Sequence, residues 1–223
     1  MNFHAALSFL SELKENNNKL WFEANRGKYE SVKKDWEKFV SQLIKNVALF
    51  DKDIAALEPK DCVFRINRDV RFSADKSPYK TNMGAYLSKG GKKSTFAGYY
   101  IHIEPNESMI AGGIWMPDAP TLFKVRQEID YQLDTFTKIL KNRNFTHTFG
   151  HSLYEGDGSK GKLVPKGFDK NSPAAEYLKY KSFIGSKAIK NEELLSGLVL
   201  KDAIESFKIV KPLNDFINKA LSE

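Results

Sequence analysis

Apolar residues recur at helical spacing from the start of the chain. Phe3, Leu7, Leu10 and Leu13 stand at i, i+4, i+7 and i+10, which predicts a helix over 3–15. The triplet Asn16-Asn17-Asn18 ends it, because asparagine side chains compete for backbone hydrogen bonds and tolerate turn geometry. A second stripe (Tyr29, Val32, Trp36, Phe39, Leu43, Val47) predicts a helix over about 19–48, with a kink at Gly27. The period then drops to two. Residues 81–88, 95–104 and 107–115 read as strands rich in Tyr, Ile and Thr, separated by turns at KGGKK (89–93) and PNE (105–107). In the middle strand Tyr99, Ile101 and Ile103 point one way while Tyr100, His102 and Glu104 point the other. One face of the sheet is therefore core and the other polar-aromatic.

Helical periodicity resumes over about 119–141, with Asp118 as N-cap and Pro120 in the first turn. Ser172-Pro173 opens a short helix, KSFIGSKAI (181–189) reads as a further strand, and Asn191 caps a C-terminal helical region. Pro212 is expected to break or restart the last helix, since it lacks the N–H that the helix needs. This order predicts an α+β fold. An antiparallel β-meander carries helices on its Tyr99/Ile101/Ile103 face, with helical regions at both ends, in one domain spanning 1–223.

Composition narrows the class. With 41% hydrophobic and 13% aromatic residues the chain is globular in character, and no stretch approaches the length of a membrane span. Its start lacks a basic segment followed by an apolar run, so no signal peptide is read, and a soluble cytoplasmic protein is expected. One cysteine, Cys62, excludes an internal disulfide and any cysteine-based zinc site. The formal charge is +7, and residues 160–190 hold eight lysines against Asp169 and Glu176. That window fits a solvated face first and a polyanion track second.

Several motifs fail on context. GDGSKGK (156–162) matches both glycine-rich phosphate-loop patterns, but Leu163 stands where Ser or Thr is needed and Pro165 opposes a helix there. It reads as a lysine-bearing loop, and no nucleotide or other cofactor is implied. His147 and His151 have i, i+4 spacing, yet the surrounding NFTHTFGH is β-branched and ends in Gly150, so a helix presenting two metal ligands is not expected. No metal set is assigned.

The stretch RINRDVRFSADKSPYK (65–80) is different. It carries five cations against two acids, and three of the chain's six arginines lie within 65–71. In a helical turn Arg65, Arg68 and Arg71 share a face; in an extended chain Arg65 and Arg71 oppose Arg68. Asp69 can pair with Arg65 and Asp75 with Arg71, both at i, i+4, and that is the purely structural reading. The surplus charge, and arginine in a chain that otherwise uses lysine, favour a site for a planar anion.

These residues fit R-x-x-R-D-x-R-F-x-x-D-K-x-x-Y throughout: Arg65, Arg68, Asp69, Arg71, Phe72, Asp75, Lys76 and Tyr79. The pattern resembles the signature of domain of unknown function 2461, a conserved hypothetical family. NNNKLWFEANRGKYE (16–30), GGIWMP (112–117) and PKGF (165–168) are similar to its other blocks, so the resemblance spans nearly the full chain. It implies a shared fold and brings no activity.

The best functional reading is a pocket for a small phosphate- or carboxylate-bearing ligand, with catalysis left open. Arg65, Arg68, Arg71, Lys76, Tyr79 and Lys80 would bind it; Asp69, Asp75 and His102 would move protons; Trp21, Phe22 and Trp115 would wall its apolar part. The alternatives are a nucleic-acid-binding protein, with Tyr86 or Tyr100 stacking bases, and an interaction module without chemistry.

Overall fold

The computed structural model describes residues 1–156 and 158–222. The described residues hold ten α-helices and one four-stranded sheet. In chain order these are α1 (Phe3–Glu15), α2 (Lys19–Ala24), α3 (Arg26–Val47), α4 (Pro59–Cys62), β1 (Met83–Ser88), β2 (Gly98–Ile103), β3 (Ser108–Ile114) and α5 (Ala119–Tyr131). There follow α6 (Leu133–Leu140), α7 (Arg143–Phe149), α8 (Ala175–Leu178), β4 (Phe183–Ile189), α9 (Asn191–Leu195) and α10 (Val199–Ser222). The strands pair in the order β1-β2-β3-β4, an antiparallel meander, and the fold is α+β. By internal contacts the chain forms two compact units, one of Met1–Lys92, Tyr100–Ile110 and Ala188–Ile204, the other of Lys93–Tyr99, Ala111–Lys187 and Glu205–Glu223.

In the first unit the α1 stripe is buried as its spacing predicts, and Phe3 meets Phe39 of α3 edge-on at 5.4 Å. Trp36 of α3 is fully buried and stacks on Phe39. α2 and α3 are separate helices, and the break falls at Asn25, not at Gly27. The Asn25 N–H still donates to the Trp21 carbonyl at 3.0 Å and its side-chain amide shares that oxygen, but its backbone (φ −109°, ψ 14°) has left helical geometry. Asn191 does not cap α9 either. Lys190 is the N-cap, and Asn191 exchanges two hydrogen bonds with Asn106 in the turn before β3.

In the second unit α10 covers the Tyr99 face of the sheet. Phe207 meets Tyr99 at 5.1 Å, Asn214 donates to the Gly98 carbonyl, and Gly112 leaves the space that Val210 fills. α10 runs through Pro212 without a break. An interior proline costs about 3 kcal/mol, but Phe207, Val210, Leu213 and Ile217 are all fully buried, and their burial outweighs it. The helix expected over 119–141 divides at Gln132 into α5 and α6, with Asp118 capping α5 as its side chain predicts. His147 lies in α7, contrary to the β-branched reading, because Asn142 caps that turn and Phe145 and Phe149 bury one face.

Candidate functional site

The arginine-rich stretch is extended where it begins and looped where it ends. Val63 bridges to Ala85 and Asn67 to Tyr79. Phe64 N–H donates to the Gly84 carbonyl (3.0 Å), Lys80 N–H to Ile66 (2.8 Å) and Arg68 N–H to Pro78 (2.9 Å), so residues 63–68 run antiparallel to 78–85. Strand alternation turns Ile66 into the core and leaves Arg65 and Asn67 exposed. The three arginines consequently acquire three different surroundings.

Arg68 enters the loop 69–77 and holds it. Its guanidinium binds the Asp75 carboxylate, the Ser77 carbonyl at 3.2 Å and the Ser73 hydroxyl at 3.3 Å. Asp75 also accepts from the Ser77 hydroxyl (2.6 Å) and the Ser77 N–H (2.9 Å). These two bonds, then Arg68, bring its carboxyl down to about 2. Arg71 makes a forked pair with Asp69 at 2.9 and 2.6 Å, which lowers the Asp69 pKa. Lys76 donates to the Val70 carbonyl at 3.0 Å. The i, i+4 partners expected from sequence are not the ones formed, because four-residue apposition belongs to a helix and this backbone is not helical. Both carboxylates are ionised and spoken for, so they are poor proton donors.

Tyr79 is a core residue. Its ring is 6% exposed and stacks on Phe22 at 4.0 Å and 15°. Asn17 ties its backbone on both sides, accepting from its N–H (3.1 Å) and donating to its carbonyl (2.9 Å). Lys80, next along the strand, is half-buried with its ammonium 5.2 Å from the Phe64 ring. Burial, and then the charge of Arg65, lower its pKa. Neither Arg65 nor Lys80 forms an ion pair among the described residues.

On the polar face of β2, Phe64 meets Tyr100 edge-on at 6.4 Å, and a Cβ at Gly84 would come within 3.0 Å of the Tyr100 hydroxyl. His102 Nε2 donates to the Glu107 carbonyl at 2.6 Å, since a carbonyl only accepts. Its Nδ1, 3.1 Å from the Tyr100 oxygen, therefore accepts from that hydroxyl in the neutral ring. Burial, then Glu104, push the Tyr100 phenol up to about 12, so it stays a donor. Glu104 is only 8% exposed and accepts from Thr81 (2.5 Å) and Asn82 (3.4 Å). The sequence places Glu104 on the polar face but gives Thr81 and Asn82 no role; the acid in outward register just beyond β2 is the signal that points to them.

The remaining candidates are scattered. Phe22 is buried, Trp21 packs on Phe9 at 5.9 Å, and Trp115 is half-exposed against Tyr154. In GDGSKGK, Asp157 lies outside the described residues; Lys160 pairs with Glu155 at 3.2 Å and sits over the Tyr180 ring. His147 and His151 are exposed, and no group of three or more metal-ligating side chains is found among the described residues. No described helix is long and apolar enough to cross a membrane. A family model described as conserved hypothetical protein (DUF2461) matches residues 5–216. No curated protein and no solved structure matches the chain.

Proposed function

Because the chain belongs to the DUF2461 family of conserved hypothetical proteins, whose description names no activity, we propose a function from the site alone: binding of a small phosphate- or carboxylate-bearing ligand at Arg65 and Lys80. One observation carries this reading. Burial first, and then the charge of Arg65, lower the pKa of the half-buried Lys80 ammonium, and neither cation forms an ion pair with a carboxylate among the described residues, although the Arg65 charge also reaches Asp69. Like charges held together cost free energy, and an anion between them removes that cost. Arg68 and Arg71 do not share this role, because Asp75, Ser73 and Ser77 engage the Arg68 guanidinium and Asp69 occupies the Arg71 fork. They build the loop next to the site, and Tyr79 anchors the strand that carries Lys80. The reading assigns binding to these residues and no reaction.

Chemical denaturation with added phosphate tests it. A ligand at ten times its dissociation constant stabilises the folded state by about 1.4 kcal/mol. Wild type should gain on this scale in phosphate at constant ionic strength, while Arg65→Met and Lys80→Met should lose most of the gain. Neither variant should be less stable than wild type without phosphate. A wild type indifferent to phosphate and to simple carboxylates would overturn the proposal.

A further inference from the structure

Phe72 is 96% exposed, more than any other large apolar side chain described. Its position is built. The loop beneath it is closed by Arg68 on Asp75, Ser73 and Ser77, and Lys76 ties the far side of the loop to the Val70 carbonyl. The Arg71 guanidinium, fixed by Asp69, lies 5.9 Å from the Phe72 ring. The motif thus spends its polar side chains on holding one aromatic ring in water. Such a ring has two apolar faces to offer. The stretch 65–80 around it carries five cations against two acids.

We infer that this loop seats a single-stranded nucleic acid, with Phe72 stacking on a base while Arg65, Lys76 and Lys80 meet phosphates. The inference rests on the anion-binding reading and adds to it the base platform and the polymer. A single strand alternates flat unpaired bases with anionic groups, which matches an exposed ring set among cations. A duplex keeps its base faces stacked inside, out of reach of the ring. An anionic membrane is a poorer match, because inserting one ring would bring the Asp69 and Asp75 carboxylates toward like-charged headgroups, and interfacial binding draws on a broad apolar face.

Fluorescence anisotropy of a labelled oligothymidylate with the full chain, between about 50 and 200 mM salt, tests the inference. Three phosphate contacts give an expected slope of about −2 for log affinity against log salt, and Arg65→Met should reduce its magnitude by about 0.7. Phe72→Ala should weaken binding roughly fivefold to a hundredfold with the slope unchanged, and Phe72→Trp should restore it. Phe72 packs against no core, so these variants fold. If phosphate stabilises wild type in an Arg65-dependent way but no oligonucleotide binds, the anion reading stands and this inference falls. It falls too if Phe72→Ala binds like wild type, or if the Phe72-dependent partner proves to be anionic vesicles. If Arg65→Met and Lys80→Met leave both the slope and the phosphate response unchanged, the anion reading fails and the inference with it.

Discussion

Replacing Tyr79 by alanine separates scaffold from site at the one motif residue where sequence and structure disagree most. The ring is 6% exposed and stacks on Phe22 at 4.0 Å, and Phe22 in turn meets Tyr29 at 5.0 Å and Phe9 at 6.4 Å. Deleting a buried aromatic ring costs about 3–5 kcal/mol, combining lost transfer energy with the cavity left behind. About 0.5–1.5 kcal/mol of that belongs to the aromatic contact itself and is recoverable from a double-mutant cycle with Phe22→Leu. For a chain of this length each kcal/mol moves the melting temperature by about 2–4 °C, so Tyr79→Ala should melt roughly 6–20 °C below wild type. Tyr79→Phe keeps the stack and should stay within about 1 kcal/mol. Urea denaturation followed by both circular dichroism and tryptophan fluorescence measures this, with coincidence of the two curves licensing the free energies. If Tyr79→Ala keeps wild-type stability and loses only its response to phosphate, Tyr79 contacts the ligand and the core assignment is wrong.

Two further outcomes are expected. A Cβ at Gly112 would lie 2.3 Å from Val210 Cγ1, so Gly112→Ala should destabilise by about 1–3 kcal/mol, and Val210→Ala in the same chain should recover part of the loss. Asp75 has a folded pKa of about 2 against an ordinary 3.8, so its bonds to Ser77 and Arg68 contribute fully above 3.8 and are lost as pH falls through about 2. The Ser77 amide resonance should therefore shift over that acid window and hold still in Asp75→Asn.

Periodicity carried most of the fold. The α1 stripe and the alternation of β2 report burial on one side of a regular element, which a single sequence displays directly, and the apolar run in 181–189 marks a strand buried on both faces where it begins. Local punctuation was less legible. Gly27 marks no kink, since the backbone leaves helical geometry at Asn25, and fully buried neighbours carry α10 through Pro212. At Pro212 tertiary burial outweighs backbone propensity. The site was legible as a place but not as a set of roles. Charge density marked 65–80, yet the partners of Arg68 and Arg71 depend on how the loop closes, and Asp75 reaches Arg68 across seven residues. Lys80 could not be told from the other motif cations, because its half-burial follows from the pairing of 63–68 with 78–85. Phe72 stands in the sequence only as a motif position, and nothing there shows that it is the most exposed large apolar side chain described.

The protonation of Lys80 reads the proposed anion site at Arg65 and Lys80 most directly. Burial and Arg65 lower the Lys80 pKa, so the charged ammonium costs stability below its folded pKa, and that cost fades as pH rises through the folded value and is gone above the unfolded one. Side-chain NMR titration of the Lys80 ammonium, with and without inorganic phosphate, should show its pKa rising when phosphate is present. Without phosphate, Arg65→Met should also raise it, by removing the neighbouring charge. A Lys80 pKa that moves neither with phosphate nor with Arg65→Met would contradict the account.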